Sequence, residues 1–198
     1  LLQEMERGEE ISILDRAWRD GLAEHYGLEH GDYELLLRRV DEIPPSLAIA
    51  QAIVESGWGT SRFALEGNAL FGQRTLPEAE DAMTPKLASD VRVKAFADLM
   101  SSVRAYMYNL NTHPAYTDFR RLRAKEREEK GRASGRVLAG TLTDYAELED
   151  YIARLRDLIR VNDLTALDRV YLSTGALAER ALPPVLTPVG YTPNEAQG

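Results

Sequence analysis

Apolar positions along this chain fall mostly at helical spacing. Ile11, Leu14, Trp18 and Leu22 share one face, and Tyr33, Leu36, Leu37 and Val40 share another after the breaks at Gly27 and Gly31. Residues 1–41 are therefore predicted to hold two helices. Pro44 and Pro45 end one element and open the next, because proline suits the first turn of a helix. From Ser46 to Glu55 the chain is apolar nearly all round, through Leu47, Ala48, Ile49, Ala50, Ala52, Ile53 and Val54. A helix without a polar face belongs in the middle of a domain. Gly57-Trp58-Gly59 stops it, with Gly57 near the expected left-handed cap.

Residues 60–72 read as loop with a short helical turn. The pattern then changes over 73–96, where Pro77 and Pro85 punctuate an acidic stretch and Val91, Val93 and Ala95 alternate with Arg92 and Lys94. Alternation of that kind predicts one arm of a β-hairpin. Phe96, Leu99, Met100, Val103, Tyr106, Met107 and Leu110 restore a long helical stripe, with Asp98 placed to cap it. After Pro114, Phe119 and Leu122 begin a helix that runs into the charged stretch 120–130, expected to be a solvated surface laced with ion pairs. A last helix is predicted over Ala146–Val161, with Asp144 and Glu147 as an approximate capping box. The expected organisation is one domain over residues 1–172, carrying a β insertion at 73–96. A proline-containing extended tail follows over 173–198.

Composition narrows the function classes. An apolar share of 44% and a charged share of 28% are ordinary for a folded domain. No run reaches the roughly 18–20 apolar residues of a membrane span. The chain opens at Leu1 without a start Met or signal pattern, which reads as a fragment or processed product. With no Cys there is no disulfide framework or thiolate nucleophile, and the three His residues form no metal-ligand spacing. Neither a metal nor an organic cofactor is expected. A net charge of −8 argues against nucleic acid as partner, since phosphate binding rests on Lys and Arg.

Glu55 carries the candidate chemistry. It ends a strongly apolar helix, where surroundings and helix dipole both oppose ionisation, so its pKa is expected to be raised. A carboxylic acid still protonated near neutral pH suits glycosidic cleavage, because the departing oxygen must receive a proton. Trp58 beside it offers a flat apolar face for a sugar ring, between glycines that leave backbone room. On residue type alone, a Glu near a helix end is usually a surface charge and a Trp usually core.

The longer string changes that weighting. Ile43-Pro44-Pro45-Ser46, Ala48-Ile49-Ala50-Gln51-Ala52, Glu55 through Ala64, and Gly67-Asn68-Ala69-Leu70-Phe71-Gly72-Gln73 closely resemble the glucosaminidase family of peptidoglycan hydrolases, glycoside hydrolase family 73. Bax-type bacterial proteins are the nearest relatives suggested. The resemblance continues through Val103–Met107, Asn109–Tyr116 and the helix holding Tyr145 and Tyr151, covering about residues 35–162. It implies an α+β, mainly α fold, with a lysozyme-like helical lobe, a small β-hairpin lobe and a glycan cleft between them. It implies that Glu55 matches the catalytic acid and that Tyr145 sits where the family carries a functional Tyr. Trp58, Asn68, Phe71, Tyr116 and Tyr151 are the implied substrate-binding positions, although a turn and a core anchor are the simpler roles for Asn68 and Phe71. Some members place a second carboxylate on the hairpin; Glu78, Glu80, Asp81 and Asp90 are candidates, with Glu80 preferred.

The resemblance thus implies a hydrolase that cleaves after N-acetylglucosamine in the peptidoglycan glycan strand, acting in the bacterial envelope. A lytic transglycosylase or muramidase of the same fold is the alternative enzyme. A catalytically silent glycan-binding module is the alternative of another class.

Overall fold

A computed structural model describes residues 12–29, 31–75, 81–84, 92–143, 145 and 150–170. The predicted tail at 173–198, the first eleven residues and the expected capping pair Asp144 and Glu147 lie outside them. Among the described residues the first helices are α1 (Ile13–His25), capped by the Ser12 hydroxyl, and α2 (Tyr33–Arg39). Next come α3 (Pro45–Ser56) and the short α4 (Arg62–Gly67). A two-stranded antiparallel sheet pairs β1 (Ala82–Met83) with β2 (Val93–Lys94), setting Ala82 opposite Lys94 and Met83 opposite Val93. The chain continues through α5 (Leu99–Thr112), a 3-10 turn at Pro114–Tyr116, α6 (Thr117–Lys130) and α7 (Gly135–Leu138). The last elements among the described residues are α8 (Tyr151–Val161) and a 3-10 segment at Leu164–Arg169. This is the α+β, mainly α architecture expected. No helix among the described residues is long and apolar enough to cross a membrane.

Helix α3 packs against α7, α8 and the 3-10 segment at Leu164–Arg169, which cover most of its apolar surface and leave Ile49 exposed. Leu47 and Ala50 are fully enclosed and pack with Tyr106 and Leu110 of α5, Leu138 of α7 and Leu155 of α8. At its C-terminal end Gly57 takes a left-handed conformation (φ 58°), and its N–H donates to the Ile53 carbonyl. At its other end Pro44 is the N-cap and has no side-chain oxygen to offer. Asp168, 122 residues further along the chain, supplies the cap. Its Oδ1 accepts from the Ser46 N–H at 2.9 Å, and its Oδ2 accepts from the Ser46 hydroxyl at 2.7 Å. Helix α7 packs so closely there that a Cβ on Gly135 would lie 2.1 Å from Ser46 Oγ.

The strand predicted by alternation is present: β2 pairs with β1 at Val93 and Lys94, an isolated bridge joins Val93 to Arg74, and the Ala95 N–H donates to the Asp81 carbonyl. One expectation is corrected. Helix α6 is not a solvated surface throughout, because Arg120, Arg123 and Glu126 recur at helical spacing on a buried face. Arg123 is fully enclosed. Its Nε lies 3.2 Å from Asp41 Oδ2, while its Nη atoms donate to Asn111 Oδ1 at 2.7 Å and the Arg38 carbonyl at 2.8 Å. Burial pushes its pKa down to about 10, and the neighbouring Asp41 carboxylate opposes that change. A guanidinium survives in such a place because its planar fork can satisfy several acceptors at once.

Candidate active site

Glu55 occupies the last turn of α3, one residue before its end, and is half-buried. Burial raises its pKa. A hydrogen bond from Tyr151 and the positive charge of Arg154 each pull it back in part. The direction is the one expected from the apolar helix, and desolvation is its main cause, the first of the three general ways to shift a carboxyl.

The Tyr151 hydroxyl donates to Glu55 Oε1 at 2.9 Å. Behind it, Gln51 Nε2 donates to the Tyr151 oxygen at 3.0 Å, and the Tyr106 hydroxyl donates to Gln51 Oε1 at 2.8 Å. Gln51 and Glu55 stand four residues apart on α3 and so share a face. The result is one hydrogen-bonded file running from the core to the carboxyl. Among the described residues no hydrogen bond reaches the other oxygen, Oε2. That oxygen is flanked by Gly72, which is exposed and has a φ of 60°; a Cβ built there would lie 3.5 Å from Oε2. Glycine is suited to this point twice over, by its backbone conformation and by the room it leaves beside the carboxyl.

Aromatic rings wall the same region. Tyr145 stacks on Tyr151 with centroids 5.8 Å apart and planes 10° from parallel, and Tyr116 lies on its other side at 6.1 Å. The Tyr145 hydroxyl donates a long bond, 3.4 Å, to the Phe71 carbonyl. Burial and the Glu55 charge both raise the Tyr145 pKa far above the ordinary phenol range, so it remains a neutral donor at any working pH. Phe71 stacks face to face on Tyr106 at 3.9 Å.

The sequence-selected residues separate into groups. Glu55, Tyr145 and Tyr151 are brought together. Tyr151 is only 2% exposed, and Phe71 and Tyr116 are also enclosed, which sets these three behind the site rather than on its surface. Asn68 takes a left-handed conformation (φ 50°) at the end of α4, and its amide donates to the Phe96 carbonyl at 2.9 Å, tying α4 to the hairpin's far side. Trp58 faces solvent. It is 64% exposed, with φ 60°, in the glycine-flanked turn after α3. Glu78, Glu80 and Asp90 lie outside the described residues. Asp81 is described, exposed and 3.6 Å from Lys94 Nζ.

Gln51, Tyr106 and Gly72 were not singled out from the sequence as site residues. Gln51 had a signal: it is the one polar side chain between Ser46 and Glu55. A polar group buried in so apolar a helix must have partners.

The family whose pattern matches residues 32–164 is glucosaminidase, described as mannosyl-glycoprotein endo-β-N-acetylglucosaminidase. The chain belongs to the glucosaminidase family. Protein bax of Escherichia coli (strain K12) is 37% identical over 114 residues, which is 58% of this chain and 40% of that protein. The chain thus matches well under half the length of that relative. Among solved structures, the catalytic domain of the autolysin Auto from Listeria monocytogenes gives a TM-score of 0.49 at 18% identity, covering 84% of this chain and 97% of that one. A peptidoglycan hydrolase from Sphingomonas sp. A1 gives 0.49 at 18%, covering 87% and 99%. The glucosaminidase match spans every site residue above, from Asp41 of the Arg123 cluster to Tyr151, and stops short of Asp168.

Proposed function

We propose that this glucosaminidase-family chain is a peptidoglycan hydrolase that cleaves the glycan strand after N-acetylglucosamine, with Glu55 as the general acid. The observation that carries this reading is the half-buried Glu55 carboxyl, with Oε1 engaged by Tyr151 and Oε2 left beside Gly72. Protonated, such a group can hand its proton to the departing glycosidic oxygen. Trp58 supplies an exposed aromatic face for a sugar ring close in sequence to the acid. Tyr145 is assigned a role in orienting the substrate's acetamido group or a water.

The second half of the reaction needs either a base or an internal nucleophile. Glu80 on the segment between Thr75 and Asp81 is assigned as the base in an inverting reaction. The substrate's own acetamido oxygen is the nucleophile if Glu80 proves dispensable, an exception that the two-carboxylate scheme admits. The site of action is assigned to the bacterial envelope, where the glycan is found.

Mass spectrometry of purified cell-wall glycan digested by wild type and by Glu55→Gln tests the proposal. New reducing-end N-acetylglucosamine, present with wild type and absent with the variant, is the expected result. Anhydro-muramic ends would reassign the chain to lytic transglycosylases. Equal digestion by the variant would remove Glu55 from the mechanism.

A further inference from the structure

The file behind Glu55 has a direction, and the direction has a chemical consequence. Tyr106 is fully buried in a setting that disfavours its ionised form, so its hydroxyl keeps its proton and must place it. That proton goes to Gln51 Oε1. The Gln51 amide is thereby oriented with its Nε2 towards Tyr151, and Nε2 donates to the Tyr151 oxygen. A phenol that accepts at its oxygen from one side turns its own proton to the other, and there stands Glu55 Oε1. Rotating the Gln51 amide by half a turn would reverse every step. Tyr106 would then hold a buried proton with no acceptor in the file, and Glu55 would lose its donor; both are costly in an enclosed site.

Resting on the reading of Glu55 as the acid, we infer that Gln51, set by Tyr106, is a positioning residue that makes Oε1 a permanent acceptor and so reserves Oε2 as the oxygen that carries the catalytic proton. A carboxylic acid has two places for its proton, and only one of them can face a departing oxygen. Tyr151's proton occupies the space at Oε1, so the acid's own proton is driven to Oε2, on the side that Gly72 leaves open. The same bond favours the carboxylate, so the file also restrains how far burial raises the pKa. The charged or titratable groups that bear on Glu55 among the described residues are Tyr151 and Arg154 on α8 and Tyr145 ahead of it. Gln51 and Tyr106 are neutral, so substituting them changes the donor to Glu55 without changing any nearby charge.

The test is a 13C NMR titration of the full chain labelled at Glu Cδ, with the Glu55 resonance assigned by its disappearance in Glu55→Gln. Wild type, Gln51→Met and Tyr106→Phe are compared, together with kcat and KM on purified cell walls. Met keeps the length of the side chain and removes its amide, and Phe keeps the ring that stacks on Phe71. In both variants Tyr151 still donates to Glu55 but no longer accepts from an oriented amide, so its bond weakens and Glu55 is expected to titrate higher than in wild type, by about 0.3 pH unit. The alkaline limb of the activity profile should move up with it. Turnover should fall roughly three- to tenfold, with KM nearly unchanged, because the weakened hydrogen bond serves the acid and not the sugar. If Gln51→Met does not fold, Tyr106→Phe decides. An unchanged Glu55 titration in a folded variant overturns the inference, whatever happens to activity. A wild-type chain that leaves cell walls intact would count against the proposed function instead, while the titration would still decide whether the file controls Glu55.

Discussion

The Tyr151 hydroxyl donates a hydrogen bond to Glu55 Oε1 at 2.9 Å, joining residues 96 apart in the chain. The partnership sets two influences against each other at one carboxyl. Enclosure raises the pKa of Glu55, and the phenol lowers it by favouring the carboxylate; enclosure prevails. An acid balanced in this way holds its proton to higher pH than a free Glu without becoming too weak to give the proton up. Removing it by Glu55→Gln should reduce turnover on cell walls by about 10²–10⁴-fold, the usual contribution of a general acid. Gln can still accept from Tyr151, so the file stays intact.

The same substitution makes a prediction about stability. A carboxyl whose pKa is higher folded than unfolded favours the folded state while protonated. That contribution is complete below the ordinary value of 4.5 and is lost as pH rises towards the raised folded pKa. Above that window the wild type carries a half-buried charge that Glu55→Gln does not. Thermal melting should therefore find the variant more stable than wild type at pH 8, with the gap shrinking at pH 4. A gap that widens in acid would mean that Glu55 is stabilised as a carboxylate by its surroundings.

Arg154 gives a milder handle on the same group. It is exposed on α8 and lowers the Glu55 pKa through its positive charge. Arg154→Ala should shift the alkaline limb of the activity profile upward by a few tenths of a pH unit in dilute buffer. Near 1 M salt, where screening acts over about 3 Å, the difference should vanish. A shift that persists at high salt would point to direct contact.

How much of this was legible in the sequence depends on the range of each interaction. Helix α3 was readable because its determinants are local: an apolar surface all round, Pro45 at one end and Gly57 at the other. Glu55 could be placed at its end, and its pKa direction followed. That Tyr151 would meet it was beyond periodicity, since only the packing of α8 on α3 joins them. Helix α6 misled for a related reason. Alternating Arg and Glu reads as a solvated face, and nothing local reveals that Arg123 turns inward to Asp41, Asn111 and Arg38. The hairpin was legible in type because alternation marks a strand, while the bridge from Val93 to Arg74 joins residues too far apart for a local pattern to show.

Tyr145 is expected to act through its hydroxyl. Its ring lies between Tyr116 and Tyr151, and a Phe would preserve both contacts. The bond its hydroxyl makes to the Phe71 carbonyl is long, at 3.4 Å, so little stability rests on it. Tyr145→Phe should melt within a few degrees of wild type and lose turnover by about tenfold, equivalent to about 1.4 kcal/mol. Retention of full turnover would reduce Tyr145 to a packing residue.

Asp168 lies beyond the family-matched residues, yet it holds the start of the helix that carries Glu55. It accepts from the Ser46 N–H and hydroxyl and, at 3.3 Å, from the Gly135 N–H, so it fastens α3 to α7 as well. Pro44 cannot serve as a side-chain cap, and a carboxylate beside a helix N-terminus is favoured by the helix dipole. Losing such a cap typically costs about 1–2 kcal/mol. Asp168→Ala should therefore lower the midpoint of urea unfolding without changing its slope. Asp168→Asn, which keeps one acceptor oxygen, should lose only part of that. Ser46 stands nine residues from Glu55 along α3, about 13 Å at the helical rise, so neither variant should move the pH profile of activity below its melting range. Unfolding midpoints equal to wild type in both would show that the segment 164–169 rests on α3 without holding it. A displaced pH profile in a folded Asp168→Ala would show instead that the cap's influence reaches the far end of the helix.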